Sequence, residues 1–441
     1  MANNDSMIKF SISKKYTSIP EYLFYLFVFL LPWQTRWIFH DSFYQGEVFE
    51  YGRISLYSFD IILIVSLLYC FIVELKNLTV KKLRIFNIAL ALYCLIVLLS
   101  VIWADEKLIA LYWGIRMLLG WGLFCLIQKI DFSRLRLAIV VVIAGAMQGL
   151  LGIWQFLDQS VWQSKWLGMA GQNARDLGAS VVEFGLERWL RAYGSWPHPN
   201  IYGALLVLAF AAVIYLITKI QSKYHQLFLI FSSSFISLGI LFSYSRAAWL
   251  GFGLVFIAGI IWLYKTVKDE WLKKFAQRLW LYLFLLLALF TWATWPIIKT
   301  RLHLGEITRL ETISTMERAA GYRAAKEIIK DNFLLGVGVG NYADELKERY
   351  PDEPVWYIQP VHNIPLIIFG ELGIIGFLTV ILLNYYIVKL LFKKRAQGYF
   401  GVLIIVYCLL LFDHFWWTTG SGMYILWLTA GLAYQEGNFN N

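Results

Sequence analysis

The feature that most constrains this chain is a recurring run of about twenty mostly apolar residues. That is the length a helix needs to cross the ~30 Å hydrocarbon core of a bilayer. Such runs lie near 21–39, 56–74, 85–103, 108–128, 136–157, 199–217, 226–243, 247–265, 279–298, 363–388, 398–414 and 420–434 of the 441 residues. Only 15% of the chain is charged, against about a quarter in an ordinary soluble domain. The reading is an all-α polytopic membrane protein of about 12 transmembrane helices, forming a single integral membrane domain over 1–441. The first run has no small-residue cleavage site after it, so it reads as a span and not a removable signal. Cys70, Cys94, Cys125 and Cys408 fall inside apolar runs, so neither a disulfide nor a thiolate metal site is expected.

Orientation follows from loop lysines and arginines, which stay on the cytoplasmic side. With the N-terminus in the cytoplasm, the cytoplasmic segments carry Lys9, Lys14 and Lys15, then Lys76, Lys81, Lys82 and Arg84, and so on to Lys393, Lys394 and Arg395. Both termini are then cytoplasmic. The net charge of +10 comes from basic residues scattered over short loops, with no stripe, so no nucleic-acid partner is expected.

Two extracytoplasmic loops are long, 158–198 and 299–362, and loops of that length are usually functional or disordered. The second is expected to be a partly helical lid. Ser314 and Glu317 have capping-box spacing, and Met316, Ala319, Ala320, Arg323, Ala324 and Ile328 continue as an amphipathic helix to about Asn332. A glycine-rich turn follows, Gly336-Val-Gly-Val-Gly340. It follows a helix and not a strand, so a dinucleotide site is not expected.

Three polar clusters stand where an outer loop re-enters the membrane. They are Arg191 with Trp196-Pro197-His198-Pro199-Asn200, then Ser243-Tyr244-Ser245-Arg246, then Val361-His362-Asn363. The orientation was fixed from loop charge alone, so their common face is an independent coincidence. Arginine grips phosphate with a planar two-pronged fork, and histidine accepts a proton near neutral pH. Together they suit transfer from a phosphorylated donor to a hydroxyl; the blander reading is that these arginines hold loop carboxylates and His198 only caps a helix. Arg116 lies mid-span, where charge must face protein or water. It either pairs with Asp60 or lines a headgroup cavity. Glu371 is expected to be structural, Asp413-His414 is a further candidate, and His40, His225 and His303 read as loop histidines. No carboxylate cluster with metal-ligand spacing appears at the outer face, so neither metal nor cofactor is expected.

At these clusters the sequence resembles the O-antigen ligase and O-antigen polymerase superfamily, over roughly 185–380. The correspondence runs through Arg191, Gly194 and His198-Pro199-Asn200, then Ser245-Arg246, then Arg318 heading a loop helix. It continues through Gly336, Gly338 and Gly340, and ends in His362-Asn363 followed by Glu371, Gly373 and Gly376. Tyr322 stands where the family often has Trp, and Phe333 where it often has Pro.

The resemblance implies a membrane glycosyltransferase whose donor is an undecaprenyl-diphosphate-linked glycan and whose acceptor is a glycan, lipid or protein. Arg191 and Arg246, with Arg318, would neutralise the diphosphate. His362 would deprotonate the acceptor hydroxyl for inverting, metal-independent attack at the outer face of the inner membrane. His198, Asn200, Ser245, Asn363 and Arg116 are the remaining expected substrate contacts. A ligase is the first expectation, a polymerase the second, and a lipid-linked glycan flippase the reading from another class.

Overall fold

The computed structural model describes residues 19–74, 85–219, 222–304, 309–394 and 397–438. The basic residues Lys9, Lys14, Lys15, Lys76, Lys81, Lys82, Arg84 and Arg395, used above for orientation, lie outside the described residues.

The chain is a multi-pass membrane protein, mostly helical. In order run α1 (Ile19–Leu30), β1 (Arg36–His40), β2 (Phe43–Tyr44), β3 (Glu47–Val48), β4 (Ile54–Tyr57), α2 (Ser58–Glu74), α3 (Ile85–Leu99), α4 (Lys107–Lys129) and α5 (Arg134–Asp158). Then come β5 (Ser160–Val161), β6 (Gln172–Asn173), β7 (Val181–Phe184), β8 (Glu187–Leu190), α6 (Pro199–Ile217), α7 (Lys223–Phe242), α8 (Arg246–Thr266), α9 (Glu270–Ala293) and α10 (Trp295–Arg301). The chain closes with α11 (Arg309–Asp331), α12 (Tyr342–Arg349), α13 (Ile364–Lys394), α14 (Gln397–Leu410), α15 (Phe415–Thr418) and α16 (Gly420–Asn438).

A helix falls on each expected span. Among the described residues, 7 helices are long and apolar enough to cross a membrane, α4 to α9 and α13, with Ile19–Leu30, Ser58–Ile72 and Ile88–Leu99 as shorter apolar helices. Helices α5, α6, α7 and α8 pack side by side, and α3, α4, α13 and α16 form the neighbouring group. Small residues allow the closest approach: a Cβ on Gly149 of α5 would run into the Phe235 carbonyl of α7.

Three expectations need correction. The run 21–39 is not one helix: α1 stops at Leu30, just before Pro32, and Arg36–His40 is a strand paired with Ile54–Tyr57. Proline cannot continue a helix, and the aromatic alternation beyond it suits a strand, with Trp37 and Phe39 stacked on one face at 5.6 Å. The fold is therefore not purely α-helical; among the described residues, four two-stranded antiparallel sheets occupy its loops. Ser314 and Glu317 cap nothing, because α11 already runs from Arg309. Its first turn is held by tertiary contacts of Glu311 described below.

The glycine turn has a clear physical task. Helix α13 is interrupted at Gly373, where φ is 62° and ψ −171°, a conformation that suits glycine. The interruption frees backbone groups inside an apolar bundle, where they must find partners. Residues 333–338 supply them. Val337 and Gly338 donate their amides to the Gly370 and Glu371 carbonyls, each at 2.9 Å, and Ile374 donates to Phe333 O at 2.9 Å. Gly336 packs so closely on Glu371 that a Cβ would strike its carbonyl. The buried Glu371 carboxylate accepts from Trp417 Nε1 at 2.7 Å, which supports the structural role expected for it.

Candidate functional site

The three clusters seen in the sequence are three helix starts, and the structure joins them. His198 caps α6, its Nδ1 accepting from Asn200 N at 3.1 Å, with Pro199 in the first turn. Ser245 caps α8, its Oγ accepting from Ala248 N at 3.4 Å. Asn363 Oδ1 accepts from Leu366 N at 3.2 Å at the start of α13. Capping thus engages the side chains of three expected substrate contacts.

Between the caps runs a buried polar relay. Arg191 donates from Nε to Ser243 O at 2.7 Å and from Nη2 to Asn200 Oδ1 at 2.7 Å. Asn200 donates from Nδ2 to Asp413 Oδ2 at 3.1 Å. The bridge needs an acceptor and a donor on one short planar group, which an amide has and a carboxylate lacks. Asp413 Oδ1 accepts from His414 N at 2.8 Å and lies 3.6 Å from His362 Nδ1. Burial raises the Asp413 carboxyl, but His362 and the other imidazoles, His414 and His198, outweigh it and hold Asp413 below the usual carboxylate range. Burial, followed by the charge of Arg191, pushes His198 down to about 3. Burial pushes His414 down to about 4, and its Nδ1 lies 2.7 Å from Thr418 Oγ1.

Beside the relay is a cavity of about 200 Å³. It is lined by Asn200, Ser245, Arg246, Arg301, Arg318 and Phe412, with Ala247 and Leu250. Arg301, 9% exposed, pairs with Glu311 and donates from Nε to Tyr244 O at 2.8 Å. Arg246 Nη1 lies 3.2 Å from Glu311 Oε2 and 2.9 Å from His303 Nε2. Arg318 has no hydrogen-bond or ion-pair partner among the described residues. Guanidinium groups outnumber carboxylates here, and the electrostatics register it. Burial, then the charge of Arg301, pushes Arg191 well below its ordinary range. Burial also lowers Arg301, with Arg246 and Arg318 adding to the push against the pull of Glu311. An arriving anion would relieve that repulsion, and the α6 and α8 N-termini add partial positive charge on the same side. Leu250 and Phe412, 54% and 46% exposed, extend the lining to the apolar surface. The arrangement suits a phosphate group carried on a hydrocarbon chain.

Arg246 and Arg318 line the cavity with Asn200 and Ser245, and His362 stands beside it next to Asp413. Arg191 lies behind the wall and reaches the site through Asn200. Arg116 is elsewhere, gripping Asp60 with both forks at 2.8 and 3.2 Å, with its remaining contacts to Ser55 O at 2.9 Å and the Tyr112 and Tyr57 rings. Of the two readings open for Arg116, pairing is the one the structure has. His362, Asp413 and His414 offer three ligand atoms within 4.8 Å of one another, a spacing a divalent cation could use. The surrounding arginines supply positive charge without one.

Residues 227–381 match the family model described as O-Antigen ligase. This stretch is an O-antigen ligase domain. No curated protein matches the chain. The O-antigen ligase match contains Ser245, Arg246, Arg301, Glu311, Arg318 and His362; Arg191 and Asn200 precede it, and Asp413 follows it. The family that this stretch matches is one of lipid-linked glycan transferases of envelope polysaccharide synthesis.

Sequence reasoning missed two residues of this site and misjudged a third. Arg301 and Glu311 were among many loop charges, and no spacing marks their pairing. His303, read as a plain loop histidine, lies 2.9 Å from both Arg246 and Glu311. Asp413 had a visible signal, a carboxylate beside a histidine at the end of an apolar run.

Proposed function

We propose that the protein transfers a glycan from an undecaprenyl-diphosphate carrier to an acceptor hydroxyl at the outer face of the inner membrane, as a ligase. The carrying observation is the cationic cavity of Arg246, Arg301 and Arg318 set beside the His362–Asp413 pair. Arg246, Arg301 and Arg318 bind the diphosphate and offset the charge that grows on it as the glycosidic bond breaks. Glu311 holds Arg246 and Arg301 in place. Asp413 directs His362 Nδ1, which leaves Nε2 to take the acceptor proton. The 3.6 Å separation is compatible with a contact that tightens when substrate arrives. Asn200 and Arg191 position Asp413.

The acceptor oxygen attacks the anomeric carbon, and the electron pair of the breaking C–O bond leaves with the diphosphate, inverting the centre. That leaving group needs no strong acid, which fits a site without a glycosidase-type carboxylate pair. The step uses no metal. The test is transfer by purified protein from a polyprenyl-diphosphate oligosaccharide to candidate acceptors, with products resolved by size. A single added glycan supports the ligase. A ladder of products assigns the polymerase, and movement of donor across liposomes without transfer assigns the flippase.

A further inference from the structure

Arg318 lines two cavities. One is the cationic cavity. The other is a groove between α11 and residues 350–362, about 50 Å³ in volume, which His362 also lines. Its chemistry is different. Trp356, 58% exposed, and Tyr357 present aromatic rings 6.5 Å apart. Gln359 donates from Nε2 to Trp356 O at 2.5 Å, which leaves its amide oxygen as an acceptor. Glu317 and Arg318 have no hydrogen-bond or ion-pair partner among the described residues. The hydroxyl of Tyr342, a residue 1% exposed, approaches Val361 without reaching hydrogen-bond geometry.

An aromatic face beside unpartnered donors and acceptors is the chemistry that recognises a pyranose. The sugar's C–H face packs on the ring, and its hydroxyls pair with the polar groups. A purely apolar ligand would leave Glu317 and Arg318 unpaired in the contact, and a second phosphate would meet the Glu317 carboxylate.

We propose that this groove is the acceptor-sugar subsite, an assignment that rests on the transferase reading above. In an in-line displacement the nucleophile and the leaving group stand on opposite sides of the anomeric carbon. With the diphosphate in the cationic cavity, the acceptor comes from the groove side, past His362. The acceptor hydroxyl gives its proton to His362 and its oxygen bonds the anomeric carbon. Trp356 and Tyr357 hold the acceptor ring, while Glu317 and Gln359 select its hydroxyl pattern.

The subsite is read independently of turnover by saturation-transfer NMR on the full chain in lipid nanodiscs. The probes are methyl glycosides of glucose, galactose, mannose and N-acetylglucosamine. At least one is expected to bind. Its affinity should fall tenfold or more in Trp356→Ala, recover in Trp356→Tyr, and hold in Arg246→Ala. In transfer assays Trp356→Ala should raise the acceptor KM by a similar factor with the donor KM unchanged. No glycoside bound by the wild type, affinity unchanged in Trp356→Ala, or a rise in donor KM instead of acceptor KM would each overturn the subsite. A wild type that binds glycoside through Trp356 but releases no polyprenyl diphosphate would sink the transferase reading and the acceptor role with it, while leaving a sugar site.

Discussion

Asp413 lies 3.6 Å from His362 Nδ1, and that nitrogen, buried, has no hydrogen-bond partner among the described residues. The carboxylate is the group placed to orient the imidazole. Asp413→Asn should therefore lower kcat by about 10²-fold or more, the scale of acid–base assistance, with donor KM little changed. Steady-state kinetics with saturating acceptor checks it. An unchanged kcat would remove Asp413 from the proposed chemistry.

The arginines should separate by their partners. Arg318 pairs with nothing in the described chain, so Arg318→Ala should weaken donor binding while leaving thermal stability alone. Arg301→Ala removes one partner of the Glu311 carboxylate, 6% exposed, which keeps Arg246 and His303, so the cost stays below the ~3 kcal/mol of a buried charge left without any partner. It should lose both activity and melting temperature. Arg246→Lys should rescue poorly, because a point charge cannot reproduce the fork. Melting in detergent, measured beside donor titration, distinguishes the three.

Asp60 and Arg116 should behave as a structural pair. Asp60→Ala leaves a guanidinium buried among Tyr57, Tyr112 and Tyr424 without its counter-charge. Abundance and melting temperature should drop, with transfer per folded molecule retained. Full abundance with transfer abolished would instead place Arg116 in the substrate path.

Acid should loosen the site. Free histidine takes a proton near pH 6.5, but His414 and His198 resist it in the fold until about 4 and 3. The unfolded chain then binds more protons, so stability is intact above about 6.5 and falls as the pH drops toward 4. Asp413, held below its usual range, adds a loss of the same sign at lower pH. Melting temperature should decline between about pH 7 and pH 4.5, and His414→Gln should shrink that decline. An equal decline in the variant would contradict the assignment.

How much was legible follows from what hydropathy and spacing can carry. Helices appear on all twelve apolar runs because hydropathy marks them, and among the described residues 7 have the length and apolarity that a bilayer demands. The first was misread past Pro32 because hydropathy does not tell a helix from the aromatic strand Arg36–His40. The three clusters were legible because each is a helix start, with cap and charge adjacent in sequence. Contacts such as Arg301–Glu311 and His362–Asp413 were not, because they join separate elements and leave no periodic trace. Asn200 was legible as a residue, but its double role between Arg191 and Asp413 needed the third dimension.

The most direct test of the central claim is the rate of polyprenyl diphosphate release from a lipid-linked oligosaccharide by wild type and by His362→Ala, each with and without chelator. The account predicts release by the wild type that survives chelation and falls by about 10²-fold or more in His362→Ala at equal abundance. Equal release by the two proteins, or release abolished by chelation and restored by a divalent cation, would contradict it.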